Sequence, residues 1–212
     1  MRGCDTKNAF YTRIISLEIV EETVANLAEY ATVPISLDVH EILDVDRLSS
    51  VEGAWPLPVD AIAPYIKDYD ATPENGPPKW AGRFDLRYWQ LFAAVSNRER
   101  VGGAAVAFRA PDIESLEGRD DLALLWDIRV SPTARRHGVG SALLAAVEGW
   151  SLLRGARWLT VETQNINVPA CLFYLRQGFA LQKIVRGAYP EFPQEVQLFL
   201  SKRLSARAGY AG

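Results

Sequence analysis

The chain has 212 residues, of which 49% are hydrophobic and 23% charged, and its formal net charge is -3 at pH 7. This balance is typical of one globular domain and argues against the cationic surface of a nucleic-acid-binding protein. Its two cysteines, Cys4 and Cys171, lie too far apart to indicate a disulfide framework or a metal site, which favours a reducing cytoplasm. No apolar run reaches the ~18 residues of a membrane span, and we see no signal-peptide core.

The first half of the chain is predicted from hydrophobic periodicity and from its prolines. Pro34 prevents the first helix from continuing, because proline lacks the backbone donor and clashes with the preceding turn. Six prolines between residues 53 and 82 predict an irregular segment there. The predicted elements are a strand over 11–20, a helix over 21–32, a strand over 35–45 and a short helix near 60–65.

The second half alternates strands and helices with clear signals at their ends. Gly155 and Gly178 are well placed to end two helices, and Asn167 suits the N-cap of the second one. The predicted elements are two strands around a turn at 96–100, a strand over 121–130, a helix over 140–154, a strand over 157–163, a helix over 169–177, and strands over 179–185 and 195–203. This order predicts an α/β (α+β) fold with a mixed, mostly antiparallel central sheet flanked by helices.

The stretch RRHGVGSALL, residues 135–144, joins a basic pair and two glycines directly to an amphipathic helix. Backbone N–H groups at a helix start lack internal partners, and the helix dipole adds positive charge there. Gly138 and Gly140 permit unusual backbone angles and keep side chains off the contact surface. We therefore expect a phosphate or diphosphate at this bend. A plain loop beside solvated basic residues is an equal alternative for this motif alone.

Two motifs together resemble the GNAT superfamily of acetyl-CoA-dependent N-acetyltransferases. The first is R-x-x-G-x-G, with Arg135, Gly138 and Gly140, ahead of a helix. The second is N-x-x-A-x-x-F-Y-x-x-x-G-F, from Asn167 to Phe179. Within the superfamily, the stretches WDIRV, ETQNIN and AYPEFPQEVQLFL look most like those of streptothricin (nourseothricin) acetyltransferases. The resemblance implies acetyl-CoA as cosubstrate, no metal, and a pair of central strands that splay apart.

The resemblance implies a single domain over residues 1–212. Its acceptor-side half would span 1–110, including the proline-rich segment 53–82, and its acetyl-CoA-binding core would span 111–205. The acceptor implied is a primary amine on a small cationic molecule, with a streptothricin-like antibiotic as the leading example. A peptide or polyamine acceptor, or a non-catalytic acyl-CoA sensor, is the alternative. The resemblance also makes a homodimer a possible assembly.

The residues expected to bind coenzyme A follow from the resemblance. The open backbone edge of the strand at 128–130 would pair with the pantetheine arm, and amides of the bend would bind the diphosphate. The predicted cofactor-binding residues are Ile128, Val130, Arg135, Arg136, His137, Gly138, Val139, Gly140, Ser141 and Asn167. Ordinary core packing of Ile128 and Val130 is the alternative, and it is compatible because the expected contacts use the backbone.

Three residues are predicted to be catalytic. The resemblance implies that Tyr174 protonates the leaving thiolate, with a packing tyrosine as the alternative. A carboxylate is needed because a free primary amine, with a pKa of ~10.4, is mostly protonated at pH 7. Asp127 is one candidate, and its pairing with an arginine such as Arg129 or Arg157 is an equal alternative. Glu162 is the other candidate, as base or as substrate anchor.

Further acceptor-side residues are weaker candidates. Acidic side chains there could favour a cation, although a solvated surface is the preferred reading for most of them: Asp38, Glu41, Glu191 and Glu195. Part of a pocket wall could be formed by Tyr189 and by the aromatic residues of the proline-rich segment, Trp55, Tyr65, Tyr69 and Trp80.

Overall fold

The computed structural model describes residues 16–48, 57–71 and 76–205. The strands of these ranges are β1 Leu17–Glu22, β2 Leu37–Leu43, β3 Val59–Lys67, β4 Trp89–Ser96, β5 Glu99–Phe108, β6 Leu122–Val130, β7 Trp158–Gln164, β8 Ala180–Val185 and β9 Gln197–Arg203. The α-helices are α1 Leu27–Tyr30, α2 Val45–Leu48, α3 Val139–Leu153 and α4 Val168–Arg176. Short 3-10 helices cover Val24–Asn26, Pro77–Gly82, Leu86–Tyr88, Glu114–Leu116 and Pro132–Ala134.

Seven strands form one sheet in the order β1-β4-β5-β6-β7-β9-β8, and β2 pairs with β3 in a separate sheet. Every pair in the large sheet is antiparallel except β6 with β7, which are parallel and joined through α3. This confirms the predicted mixed, mostly antiparallel sheet flanked by helices. Strands from both halves of the chain share the sheet, and the predicted division into an acceptor side and a core stays a prediction.

The two faces of the large sheet bury separate apolar clusters. One face packs against α3 and α4, through side chains such as Leu143, Val147 and Cys171. The other packs against α1 and the Pro77–Gly82 helix, through Tyr30 and Trp80. Burial of an aliphatic or aromatic side chain contributes roughly 1.5–3 kcal/mol, so these faces fix the sheet between its helices.

The central strands β6 and β7 part after a short stretch of pairing. Residues Leu122–Leu125 pair with Trp158–Val161, and the pairing ends there. Beyond that point β6 pairs only with β5, whereas β7 continues beside β9. The facing backbone edges are therefore open, which confirms the predicted splay.

A β-bulge lies where the two strands part. β6 has one extra residue, Trp126, relative to its partner β5. A bulge bends its strand and changes the phase of side-chain alternation. Leu125 and Ile128 accordingly both contact the α3 side, whereas Trp126 packs on the α1 side and Asp127 accepts a hydrogen bond from Tyr30 of α1. The bulge thus turns the acidic side chain of Asp127 toward the α1 side of the sheet.

The short helix predicted near 60–65 is wrong, because these residues lie inside strand β3. Pro64 is one of the six prolines from which irregular structure was predicted in this segment. It lies where the β2–β3 register shifts between Val39 and Glu41, and proline is tolerated at a bulge because no ladder hydrogen bond is lost there.

The first predicted helix is shorter than expected. β1 runs on to Glu22, and a 3-10 turn then leads into the four-residue α1. The part of the first predicted strand at 11–15 lies outside the described residues.

The helix ends predicted in the second half are confirmed. Gly155 and Gly178 follow α3 and α4 with φ of 92° and 87°, the left-handed conformation that glycine adopts readily. Asn167 caps α4, since its side chain accepts a hydrogen bond from the Ala170 amide at 3.2 Å. Within the described ranges, no helix is long and apolar enough to cross a membrane.

Candidate active site

The gap between β6 and β7 opens into a cavity of about 1140 Å³. Its walls are the open edge of β6, the start of α3, one side of α4, and the residues around positions 34–38 and 69–70. The predicted site residues that line it are Asp127, Ile128, Val130, Arg135, Arg136, Gly138, Gly140, Ser141, Glu162, Asn167 and Tyr174. His137 and Val139 do not: His137 is exposed, and Val139 is buried in the core.

The start of α3 leaves its backbone donors available. Gly138 is the N-cap residue with φ of 83°, and no side chain among the described residues caps the helix. Arg136, two residues earlier, also has a positive φ, of 65°. Uncapped amides and the helix dipole together favour an anion at this end of a fifteen-residue helix.

Arg135 connects this bend to the surrounding backbone. Its Nε donates to the Val130 carbonyl and its Nη2 to the Ser36 carbonyl, each at 3.1 Å. His137 Nδ1 lies 2.8 Å from the Arg135 carbonyl oxygen. These contacts hold the end of β6 and the bend together beside the cavity.

Tyr174 lies beneath the cavity on α4 and is 4% exposed. Burial raises the pKa of its phenol, and the negative charge of Asp127 raises it further, so the hydroxyl stays protonated at neutral pH. Its hydroxyl forms no hydrogen bond with another residue in the described part of the chain. The phenolic proton of Tyr174 is therefore not donated to any described residue.

Asp127 is held by two neighbours. Arg129 donates to both of its carboxylate oxygens, at 3.0 and 2.7 Å, and the Tyr30 hydroxyl donates at 2.6 Å. The Arg129 side chain is 1% exposed and also donates to Asp70, at 2.8 Å, and to the Val33 carbonyl, at 3.0 Å. The structure thus shows the arginine-pairing alternative, with Arg129 rather than Arg157. A catalytic role for Asp127 stays a prediction.

Glu162 differs from Asp127 in its partners. It is half-buried on β7 and forms no ion pair with any described residue. The Tyr189 hydroxyl donates to its Oε1 at 2.7 Å, and no described residue donates to Oε2. A carboxylate oxygen without a partner beside the cavity can attract an ammonium group and accept its proton.

The other acidic candidates have separate surroundings. Glu195 is 3% exposed and its charge is paired with Lys67 at 2.7 Å, so it is not available to a ligand cation. Asp38 is exposed and lines the cavity, whereas Glu41 and Glu191 are exposed outside it.

Comparison with known proteins decides the family. A sequence model of the acetyltransferase (GNAT) family matches residues 59–179, more than half of the chain. The chain belongs to the GNAT acetyltransferase family. It is an acetyl-CoA-dependent N-acetyltransferase, because acetyl-CoA is the acetyl donor of that family.

The relatives of this GNAT acetyltransferase include antibiotic acetyltransferases. The streptothricin acetyltransferase of Escherichia coli is 31% identical over 156 residues, 74% of this chain and 77% of the relative. The aminoglycoside N(6')-acetyltransferase type 1 of Klebsiella aerogenes is 35% identical over 89 residues, 42% of this chain and 57% of the relative.

A solved structure has the same fold as this acetyltransferase. It is a Bacillus anthracis protein assigned as a streptothricin acetyltransferase, in complex with acetyl coenzyme A. Its TM-score is 0.68 at 21% identity, over 89% of this chain and 99% of that chain.

The cavity of this acetyltransferase fits acetyl-CoA. The uncapped amides at the start of α3 suit a diphosphate, and the open edge of β6 suits the amides of a pantetheine arm. Among residues 16–48, 57–71 and 76–205, no cluster of three or more His, Cys, Asp or Glu side chains could hold a metal ion.

Sequence reasoning missed several residues of the site. Tyr30 and Asp70 contact Asp127 or its partner Arg129 but come from distant parts of the chain, where no local pattern marks them. The pairing of Asp127 with Arg129 had a signal, since residues two apart in a strand share a face. Gln164 also lines the cavity, and its only signal was its place in the ETQNIN stretch. Tyr69 and Trp80, which were candidates for the pocket wall, do line the cavity.

Proposed function

We propose that this enzyme acetylates a primary amine of a small cationic molecule, with a streptothricin-like antibiotic as its leading acceptor. The observation that carries the proposal is the Glu162 carboxylate, unpaired with any described cation, beside the cavity where the central strands part. The relatives support the acceptor class, because one is named a streptothricin and another an aminoglycoside acetyltransferase.

Coenzyme A would occupy the part of the cavity between the start of α3 and the open edge of β6. Backbone amides from Arg136 to Ser141, including His137, Gly138, Val139 and Gly140, bind the diphosphate, and Arg135 and Arg136 add positive charge. The main chain of Ile128 and Val130 pairs with the pantetheine arm, which Asn167 also contacts. Supporting this assignment, the start of α3 is uncapped and the edge of β6 is unpaired toward β7.

Three proton transfers accompany the reaction. Bound acetyl-CoA supplies an acetyl thioester directly to the amine, without a covalent enzyme adduct. Glu162 first accepts a proton from the ammonium and leaves a neutral nitrogen that can form the C–N bond. Tyr174 donates its phenolic proton to the sulfur as the C–S bond breaks, and the second amine proton restores the phenol. Asp127, tied to Arg129, shapes the acceptor wall and adds negative charge near Tyr174.

The acceptor is tested by following free thiol release from acetyl-CoA with a panel of amines. We expect the highest kcat/KM with streptothricin, lower values with an aminoglycoside or spermidine, and the lowest with a peptide N-terminus. A preference for the peptide would overturn the acceptor class. Tight acetyl-CoA binding without turnover of any amine would identify a sensor instead.

The base is tested by Glu162→Gln. Loss of a general base should lower kcat by about 10²–10⁴-fold and leave acetyl-CoA affinity unchanged. Glu18→Gln, on an exposed position of β1 away from the cavity, is the matched control and should retain full activity. If Glu162→Gln keeps wild-type kcat while Asp127→Asn loses it, the base is Asp127.

A further inference from the structure

Three hydrogen bonds connect Glu162 to side chains on two other segments. Tyr69 donates to Gln164 Oε1 at 2.9 Å, and Gln164 Nε2 donates to the Tyr189 hydroxyl oxygen at 3.0 Å. The Tyr189 hydroxyl then donates to Glu162 Oε1 at 2.7 Å. The chain of contacts starts after β3, crosses β7 and passes through the β8–β9 connection.

The direction of each of these three hydrogen bonds follows from the number of protons that each side chain can donate. A phenol has one hydroxyl proton, and Tyr69 donates it to the carbonyl oxygen of the Gln164 side-chain amide. The amide must then turn its NH2 group toward Tyr189, whose oxygen accepts that bond. The single proton of Tyr189 is left for Glu162, which as an ionised carboxylate can only accept.

The segment that contains Tyr189 is fastened to the same neighbour that contributes Tyr69. Lys67 Nζ donates to the buried Glu195 carboxylate at 2.7 Å and lies 3.6 Å from the centre of the Phe192 ring. Phe192 in turn donates its amide to the Tyr189 carbonyl at 2.9 Å. The β8–β9 connection is therefore held at Tyr189, Phe192 and Glu195.

We propose that Tyr189 is a positioning residue for acetyl transfer: directed by Gln164 and Tyr69, its hydroxyl fixes Oε1 of Glu162 and leaves Oε2 for the acceptor amine. This inference rests on the proposed function, in which Glu162 accepts the proton of the acceptor. A fixed carboxylate presents one oxygen at one place, so the nitrogen is held in the geometry that attack requires.

Tyr189 and Tyr69 both remain hydrogen-bond donors at neutral and mildly alkaline pH. Burial raises the pKa of Tyr189, and the neighbouring Glu162 carboxylate raises it further. Burial likewise raises the pKa of Tyr69. Both phenols therefore keep their protons at pH 9 as they do at pH 7.

The proposal predicts a specific kinetic change for Tyr189→Phe. Loss of a hydrogen bond to a charged group should lower kcat about tenfold, and the KM for acetyl-CoA should not change. Tyr88→Phe, outside the cavity, is the matched control and should keep wild-type kinetics. Wild-type kcat in Tyr189→Phe would overturn the proposal.

A double-mutant cycle separates positioning from general support of the fold. In the Glu162→Gln background, Tyr189→Phe should cause no further loss of kcat, because its effect passes through the carboxylate. An equal loss in both backgrounds would show a structural role and overturn the proposal. If Glu162→Gln alone keeps wild-type kcat, Glu162 is not the base, and the positioning role of Tyr189 that depends on it falls as well. Acetyl transfer itself is tested separately, by thiol release with the amine panel.

Gln164→Glu provides a second test at nearly constant side-chain volume. The new carboxylate oxygen would replace the NH2 donor and draw the Tyr189 proton away from Glu162. We expect the same loss of kcat as in Tyr189→Phe, with a melting temperature and acetyl-CoA affinity close to wild type. Unchanged kcat in this variant would contradict the directed chain of donors.

Discussion

Two carboxylates near the parted strands have opposite surroundings, and their side-chain partners set what each can do. Asp127 accepts three hydrogen bonds, two of them from a buried guanidinium, so its charge is already compensated. Glu162 has one phenol partner and no described cation. Asp127 is therefore suited to a fixed position in the wall of the cavity, whereas Glu162 is suited to exchange a proton with a ligand.

Arg129→Ala should strongly destabilise the protein. Removing one partner of a buried ion pair costs about 3–5 kcal/mol, because Asp127 keeps a buried, uncompensated charge. Thermal unfolding should begin roughly 6–20 °C lower for a domain of this size. Arg203→Ala, an exposed arginine at the end of β9, serves as the control, and equal melting temperatures for the two variants would refute the expectation.

Tyr174→Phe and Tyr30→Phe should have different consequences. Tyr174 lines the cavity and is the proposed general acid, so loss of its hydroxyl should lower kcat about 10²-fold or more. Stability should change little, because no described residue shares a hydrogen bond with that hydroxyl. The Tyr30 hydroxyl donates to Asp127, so its removal should cost about 1–3 kcal/mol of stability. Thiol release and thermal unfolding distinguish the two, and a large stability loss in Tyr174→Phe would contradict the assignment.

At the scale of elements, the start of α3 combines a tight bend with unused donors. Gly138 takes φ of 83°, and an added Cβ there would meet no other atom within 4 Å. The cost of a side chain at this position is therefore conformational rather than steric. A change in the bend would also shift Gly140 and Ser141, which line the cavity.

Gly138→Ala should weaken coenzyme A binding as well as stability. Gly118 offers a matched control, since its φ of 67° is similar, an added Cβ would also be free of contacts, and it lies outside the cavity. Both substitutions should cost about 1 kcal/mol of stability, because both force a left-handed residue. Calorimetric titration should show weaker coenzyme A binding for Gly138→Ala only. Equal affinities would argue against the bend as the diphosphate site.

For the whole molecule, burial of ionisable side chains predicts sensitivity to alkaline pH. Burial raises the pKa of Cys171 to about 12, and it also raises the pKa of Tyr30 and Tyr174. The folded state keeps these protons above the pH at which the unfolded chain releases them. Their contribution to stability is complete at neutral pH and declines as pH rises.

In the unfolded chain, the Cys171 thiol loses its proton at a lower pH than the tyrosine phenols do. Between the unfolded thiol pKa of ~8.5 and pH 10, Cys171 should account for a loss of about 2 kcal/mol, since each pH unit contributes up to 1.36 kcal/mol. Unfolding by urea measured from pH 7 to 11 should show this slope, and Cys171→Ala should flatten it below pH 10. A slope that persists unchanged in the variant would assign the loss to other groups.

The parts of this protein that sequence predicts are those specified by neighbours in the chain. Helices α3 and α4 and their glycine ends follow from local periodicity and from the backbone freedom of Gly155 and Gly178. Strand β3 was not predicted: its residues were assigned to an irregular segment with a short helix near 60–65. Pro64 is compatible with the strand only because it lies at a bulge, and the partner strand β2 is not evident from the sequence.

In the candidate site, too, local sequence patterns identify only some of the residues. Residues Gly138 and Asn167 are recognised by motif spacing. Tyr30 meets Asp127 across 97 positions, and Tyr69 meets Gln164 across 95, so only the folded sheet brings them together. The difference between the two carboxylates depends on these distant partners, and sequence left Asp127 and Glu162 as comparable candidates.

The extra residue at Trp126 has a consequence for how this strand tolerates insertions and deletions. Trp126 and Asp127 are consecutive and yet face the same side, so removal of Trp126 would restore plain alternation and keep Asp127 where it is. It would also straighten β6 and allow it to continue pairing with β7. A one-codon deletion should therefore close the gap between β6 and β7 and remove the contacts of Trp126 with Trp80 and Trp89. A one-codon insertion would instead turn the acidic side chain toward the apolar cluster on the α3 side.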